Sequence, residues 1–370
     1  MPTRIGVFLL TCLITYSRKN AVVSFLLPSL PAGKDIRGLS SANAATKVLS
    51  LSSNDDQDND ASNSLHVIDN AAEYCRVNPP WDYQSIPAIK RFARWTWRRR
   101  MTVLKFLHWK DPLTPVDSCI NLECLWWKAL STTDPNSPCF ERLTYDMLPR
   151  RTRWILKFFR RWHPRWIHAL LELRMAYLNQ AIQHEMKHSP SHGFRIISLG
   201  AGYDVRSIRL LNDPSLPSRI ECYEFDLPST MESKEKLLQE QLLPRQRQDS
   251  TTLKLPHMIG IDLNDTEELR RQLQAIFHNN EPNQDWHTIF VVEGVLMYLQ
   301  SDRAIAALQL CSDMATGPAS LCFADRLFNF SHCDPIPMQQ QLLQTGWVLK
   351  EWAPSPTANA KHMGIARTVH

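Results

Sequence analysis

Nine cysteines are spread along the 370 residues without a single C-x-x-C pair (Cys12, Cys75, Cys119, Cys124, Cys139, Cys222, Cys311, Cys322 and Cys333). Their odd number and scattered positions suggest neither a zinc ribbon nor a disulfide framework, so they read as mostly buried reduced thiols and no metal site is assigned. Charge of one sign is also lacking. The net charge is +5 and the pI about 8.7, too mild to imply a nucleic-acid partner by itself. No internal repeat is evident. The apolar run at the front, Ile5 to Tyr16 behind Arg4, suits a signal-peptide core but is too short to span a bilayer comfortably. Acids are scarce just after it: residues 17–53 contain Asp35 alone, among many Ser, Ala, Lys and Arg residues. That is the composition of a transit peptide.

The junction Ala21-Val22-Val23-Ser24-Phe25 resembles the cleavage point of two-part plastid targeting sequences in algae with secondary plastids. An organellar, plastid-type presequence is the expectation, with a membrane-anchoring or disordered start, and a cytoplasmic location, as the alternative. Residues 54–63 (NDDQDNDASN) are acidic, polar and without apolar period, as a disordered linker should be. The expected partition is therefore a presequence and linker over 1–63, a helical basic and aromatic cap over 64–190, and a catalytic domain over 191–370. Two stretches of the cap, Lys90–Arg100 and Arg150–Trp162, mix arginine with tryptophan and phenylalanine. Such mixtures serve a membrane surface or an RNA, but the four-residue spacing of Trp154, Phe158 and Trp162 favours a helix packing its aromatics inward with its arginines wet.

From Phe194 onward the pattern is strand, helix, strand, helix, which implies a parallel sheet with helices on both faces. Strands are expected over Arg195–Leu199, Arg219–Phe225, His257–Ile261, Thr288–Glu293 and Ala319–Ala324. Trp347–Trp352 and Gly364–Val369 are expected as a final antiparallel pair, and Asp265–His278 and Asp302–Ala315 as helices. The first strand ends in Leu199-Gly200-Ala201-Gly202. Two residues without a Cβ let a ligand approach the backbone there, with Asp204 at the start of the next helix. The second strand ends in Glu224-Phe225-Asp226, and a carboxylate at Asp226 can accept both hydroxyls of a ribose. A dinucleotide fingerprint would place a third small residue where Val205 stands, which argues against NAD and an oxidoreductase.

The set LGAGYDVRSIRL, YEFDLP with Lys234 following, IDL and VVEGVLMYL, in this order and spacing, resembles the leucine carboxyl methyltransferase family of S-adenosylmethionine (SAM)-dependent enzymes, over roughly residues 114–310. The resemblance implies an α/β fold: a Rossmann-like class I SAM-dependent methyltransferase sheet with helices on both faces and an N-terminal helical cap. It implies SAM as cofactor, with Asp226 on the ribose, Asp262 and Leu263 on the adenine, and Lys128 and Arg174 on the methionine carboxylate. Glu293 ends the fourth strand where sulfonium and acceptor should meet. As a buried carboxylate it needs a partner such as the cofactor's ammonium group. Tyr298, five residues on, is a candidate to line the acceptor pocket, with core packing as its alternative.

The activity implied is methyl transfer to a carboxylate or hydroxyl. Relatives esterify the terminal leucine of a phosphatase catalytic subunit, methylate small molecules, or act on a modified tRNA base. Here EGVLMYL is nearer the bacterial-type members and the stretch after the fifth strand is short, so a small-molecule acceptor stands beside a protein one. The competing reading is a non-catalytic SAM-binding protein whose basic, aromatic stretches form a membrane or RNA surface.

Overall fold

A computed structural model describes residues 116–132, 139, 142–159, 169–244, 253–278, 285–325, 335–354 and 362–369. The presequence, the acidic linker, the Lys90–Arg100 stretch and Trp162 lie outside the described residues. Among the described residues four helices come first: α1 (Val116–Thr132), α2 (Leu143–Met147), α3 (Arg150–Phe159) and α4 (Ala169–His188). Then follow β1 (Gly193–Leu199), α5 (Arg206–Leu211), β2 (Ile220–Asp226), α6 (Pro228–Leu237) and β3 (His257–Gly260). The remainder is α7 (Thr266–His278), β4 (Trp286–Glu293), α8 (Ser301–Met314), β5 (Ala319–Asp325), α9 (Pro335–Gln344), β6 (Trp347–Pro354) and β7 (His362–Thr368).

The sheet order is β3-β2-β1-β4-β5-β7-β6. The first five strands pair in parallel, and β7 runs antiparallel to both β5 and β6. A parallel sheet covered on both faces needs strands that are apolar on both sides, and β5 is buried at every position. Alternate residues then serve opposite layers. Ile197, Leu199, Phe290, Val292, Leu321 and Phe323 pack with α7, α8 and α9, while Phe194, Ile196, Ile289, Val291, Cys322 and Ala324 pack with α4 and α5. Thus α4, assigned from the sequence to the cap, lies directly on the sheet. A third cluster joins α1, α2 and α3 through Leu125, Ala129, Met147 and Leu156 to Tyr203, Val205 and Ile208 beyond the end of β1. The cap is thereby fixed over the C-terminal ends of the parallel strands, where ligands of such sheets lie.

Local sequence explains the joints. Pro228 opens α6, where a missing N–H costs nothing, and a Cβ on Gly260 would come within 2.8 Å of the Pro228 Cα, so β3 has to end in glycine to pass beneath it. Asp265 caps α7, its Oδ1 accepting the Glu268 N–H at 3.0 Å. One expectation fails. In α3 it is Thr152 and Leu156 that face inward, while Trp154 is 64% exposed. Leu156 packs with Tyr203, Val205 and Ile208, Thr152 lies one turn earlier on the same side, and the wide indole is left on the solvent side.

Candidate functional site

The β1–α5 turn is the floor of the site. Gly200 and Gly202 both adopt positive φ (69° and 50°), a region that side chains with a Cβ resist. The amides of Gly200 and Ala201 donate to the Phe225 carbonyl at 2.8 and 3.0 Å, tying the turn to β2. A Cβ on Gly200 would lie 2.4 Å from Val295, so this glycine also makes room for the loop after β4. That loop is held from β5: Asp325 Oδ2 accepts the amides of Val295 at 2.5 Å and Leu296 at 2.8 Å.

Asp226 is buried, with Oδ2 accepting the Gly202 N–H at 2.7 Å and Oδ1 the Leu227 N–H at 2.8 Å. Burial pushes its pKa up, and these two bonds offset that only in part. The chain thus holds a carboxylate at the end of β2 at some cost in stability, beside the glycine turn. Glu224 is not the solvated strand-end acid that its position allows. It is fully buried, and the equally buried Lys234 donates to its Oε2 and to the Asp204 carbonyl, each at 2.5 Å.

Five charges converge above the turn. Lys128 of α1 donates to Asp204 Oδ2 at 2.7 Å and to Glu293 Oε2 at 3.4 Å. Arg206, at the start of α5, donates from Nη2 to Glu293 Oε2 at 3.0 Å, and its Nη1 lies 3.4 Å from Asp204 Oδ2. Arg174 of α4 brings Nε to 3.6 Å from Glu293 Oε1. Burial works against each carboxylate, but the cations outweigh it. Lys128, Arg206 and Arg174 hold Glu293 at about 2, and Arg206 and Lys128 hold Asp204 well below the usual range. Burial likewise opposes the Lys128 ammonium, and Asp204 and Glu293 more than offset it, raising its pKa.

The cluster is not closed. Arg174 Nε and Glu293 Oε1 are both buried and neither forms a hydrogen bond, although they face each other. An unpaired donor on a cation and an unpaired acceptor on an anion suit the two ends of an amino acid, a carboxylate and an ammonium. These orphaned atoms, the positive-φ glycine turn and the buried Asp226 fit the methionine and ribose parts of SAM.

The structure therefore brings together Lys128, Arg174, Gly200, Gly202, Asp204, Asp226 and Glu293. It places the other sequence candidates differently. Asp262 is exposed in a turn, accepting both the backbone N–H of Asn264 (2.9 Å) and its side-chain amide (3.0 Å). Leu263 is buried in the core layer with Leu269 and Leu273. Tyr298 lies in a short 3-10 turn, Leu296–Tyr298, and is 57% exposed, which sets aside core packing as its role. Sequence reasoning gave no role to Arg206, Asn179 or Asp325. For Arg206 the signal was its place two residues after Asp204 in the glycine turn. For Asp325 it was an acid ending a parallel strand, as Asp226 and Glu293 do. Nothing in the sequence marked Asn179.

A family model described as leucine carboxyl methyltransferase matches residues 127–311, half of the chain and all of this cluster. No curated protein matches the chain in sequence. Among solved structures, it is similar to magnesium protoporphyrin IX methyltransferase from Synechocystis PCC 6803 with bound SAM, at 13% identity over 55% of this chain and 83% of that one, TM-score 0.36. It is also similar to an O-methyltransferase family protein from Burkholderia thailandensis, at 11% identity over 73% and 70%, TM-score 0.32. The N-methyltransferase NodS from Bradyrhizobium japonicum WM9 with S-adenosylhomocysteine matches at 10% identity over 53% and 88%, TM-score 0.32. Likenesses of this size leave the fold to rest on the sheet itself, whose five parallel strands and final antiparallel pair are those expected of a class I methyltransferase sheet.

Proposed function

The chain belongs to the leucine carboxyl methyltransferase family of SAM-dependent methyltransferases, and from that premise we propose that it methylates a carboxylate, giving a methyl ester. When bound, SAM supplies a methyl group made electrophilic by its sulfonium. The residues have little proton chemistry to do, because in-line displacement asks mainly for alignment and exclusion of water. In this reading the Gly200–Gly202 turn lets the cofactor lie against the backbone, Asp226 takes the ribose hydroxyls, and the exposed Asp262 just past the end of β3 is left for the adenine, while Leu263 stays in the core. Arg174 and Lys128 hold the carboxylate of the methionine part while Glu293 Oε1 takes its ammonium, and Tyr298 stands at the acceptor side.

One observation carries the choice of acceptor. Both acids beside the turn are already paired with buried cations, Asp204 with Lys128 at 2.7 Å and Glu293 with Arg206 at 3.0 Å, and these contacts favour the ionised carboxylates and the protonated lysine. Groups so placed cannot take a proton from a hydroxyl at neutral pH. A carboxylate arrives already ionised and needs no base. The organellar address read from residues 1–53 belongs to this proposal and favours a small-molecule acid over a cytosolic protein. The test is to incubate the full chain with methyl-labelled SAM and an extract split into protein, RNA and small molecules, then raise the pH. Label released as methanol is expected, and label stable to base would refute the ester.

A second reading is favoured by one observation, the exposed Trp154 on a helix with Arg150 also exposed. The helix itself, Arg150–Phe159, carries four Lys and Arg and no acid. A face of that kind suits an anionic bilayer, and in this reading α3 is a peripheral membrane contact, with or without catalysis. Sedimentation with phosphatidylserine vesicles should be weaker for Trp154→Ser than for the wild-type chain. Equal binding of the two would remove α3 from any such role.

A further inference from the structure

Glu293 can serve a ligand only if one of its oxygens is kept free and aimed, and the atoms around it show how that is arranged. Oε2 is occupied, receiving Arg206 Nη2 at 3.0 Å and Lys128 Nζ at 3.4 Å. Oε1 has no hydrogen bond. The Arg206 fork does more than neutralise. Its Nε donates to Asn179 Oδ1 at 2.9 Å on α4, and the same Asn179 oxygen receives Arg209 Nη2 at 2.6 Å. Its backbone N–H donates to Asp204 Oδ1 at 2.7 Å. One buried guanidinium therefore spans α4, the glycine turn and the end of β4. A lysine in its place would carry the same charge on a single point and could not hold three directions at once.

We propose that Arg206 is a positioning residue: braced by Asn179, it pins Glu293 through Oε2 so that Oε1 is presented to the cofactor, and it ties α4 to the site. The inference rests on the cluster being the SAM site. It goes beyond that reading by giving a role to a residue that need not touch the ligand.

The groups facing Glu293 are Lys128 from α1, Arg174 from α4, and Arg206 and Asp204 from the β1–α5 turn and helix. Removing Arg206 leaves two cations and one carboxylate around it, so the Glu293 carboxyl should take up a proton at a higher pH than before. The proposal thus predicts both a loss of affinity and a changed acid limb.

The experiment measures S-adenosylhomocysteine binding by calorimetry between pH 5 and 8 for the full chain, Arg206→Lys, Arg206→Gln and Asn179→Ala, with urea unfolding of each. Wild-type affinity should be level across this range on the Glu293 side. Arg206→Gln should bind about 10-fold or more weakly at pH 7.5 and weaken further toward pH 5. Arg206→Lys should not restore the affinity. Asn179→Ala keeps every charge and is expected to fold if the Arg206 variants do not, and it should lose a smaller but measurable part of the affinity. Full rescue by lysine, or wild-type affinity in Asn179→Ala, would overturn the positioning role. If the wild-type chain itself binds no S-adenosylhomocysteine, the site assignment falls, and this inference with it.

Discussion

The Lys234–Glu224 pair offers the most demanding test of the site's foundations. Both side chains are buried, their contact is 2.5 Å, and Lys234 also holds the Asp204 carbonyl. Lys234→Met fills much of the same volume but leaves Glu224 as a buried carboxylate whose Oε1 already has no partner. Breaking a buried pair from one side costs about 3–5 kcal/mol, whereas replacing both members by apolar groups of similar size costs far less. For a domain of this size each kcal/mol lowers Tm by about 2–4 °C, so Lys234→Met should fall by on the order of 10 °C. The double variant Lys234→Met/Glu224→Leu should recover more than half of that loss. It should still bind the cofactor more weakly than wild type, because the Asp204 carbonyl has lost its anchor. The assays are thermal and urea unfolding together with S-adenosylhomocysteine calorimetry. A single variant within about 1 kcal/mol of wild type, or a double variant no better than the single, would show that the pair is not the buried unit described here.

Three further outcomes are expected. Arg174→Lys, though it keeps the charge, should weaken cofactor binding by about 1–2 kcal/mol, since an ammonium cannot pair bidentately with a carboxylate; equal calorimetric Kd values would refute this. Asp226→Ala should cost about 1–3 kcal/mol in cofactor affinity and, by leaving the Gly202 and Leu227 amides without acceptors, should also lower the urea midpoint. Unchanged affinity would remove Asp226 from the site. Asp204 and Glu293 are depressed in the folded protein, so the stability they contribute is complete above their unfolded values near 4. The share of Glu293 is lost as pH falls through about 2, and that of Asp204 only in stronger acid. Glu293→Gln should flatten that part of the stability profile, and a profile identical to wild type would contradict the ion cluster.

The strands were legible because their chemistry is local. Apolar runs ending in Gly200, Asp226 and Glu293 have one reading in a parallel sheet, and the observed strands start or stop within two residues of expectation. The antiparallel β6–β7 pair was also legible, but its insertion of β7 beside β5 is a matter of tertiary pairing. The glycines and acids of the candidate site could be picked out because they lie at or just beyond strand ends. Arg206 and Asn179 could not, since 27 residues separate them and their meeting depends on how α4 lies on the sheet. Trp154 was misread for a related reason. Spacing shows that a helix has two faces, but which of them the domain takes is decided by the shape of the receiving surface, here the Tyr203, Val205 and Ile208 cluster.

The place of β7 in the sheet bears on how the protein is made. It is the last of the seven strands to leave the ribosome, yet it fills an interior slot between β5 and β6. Until residues 362–368 emerge, the nascent chain carries β5, a strand buried at every position in the finished fold, with one edge bare and without the strand that joins β6 to the sheet. That edge is an invitation to wrong pairing. Synthesis of this enzyme therefore passes through a stage in which the glycine turn after β1 can already be built while the far side of the sheet is still open.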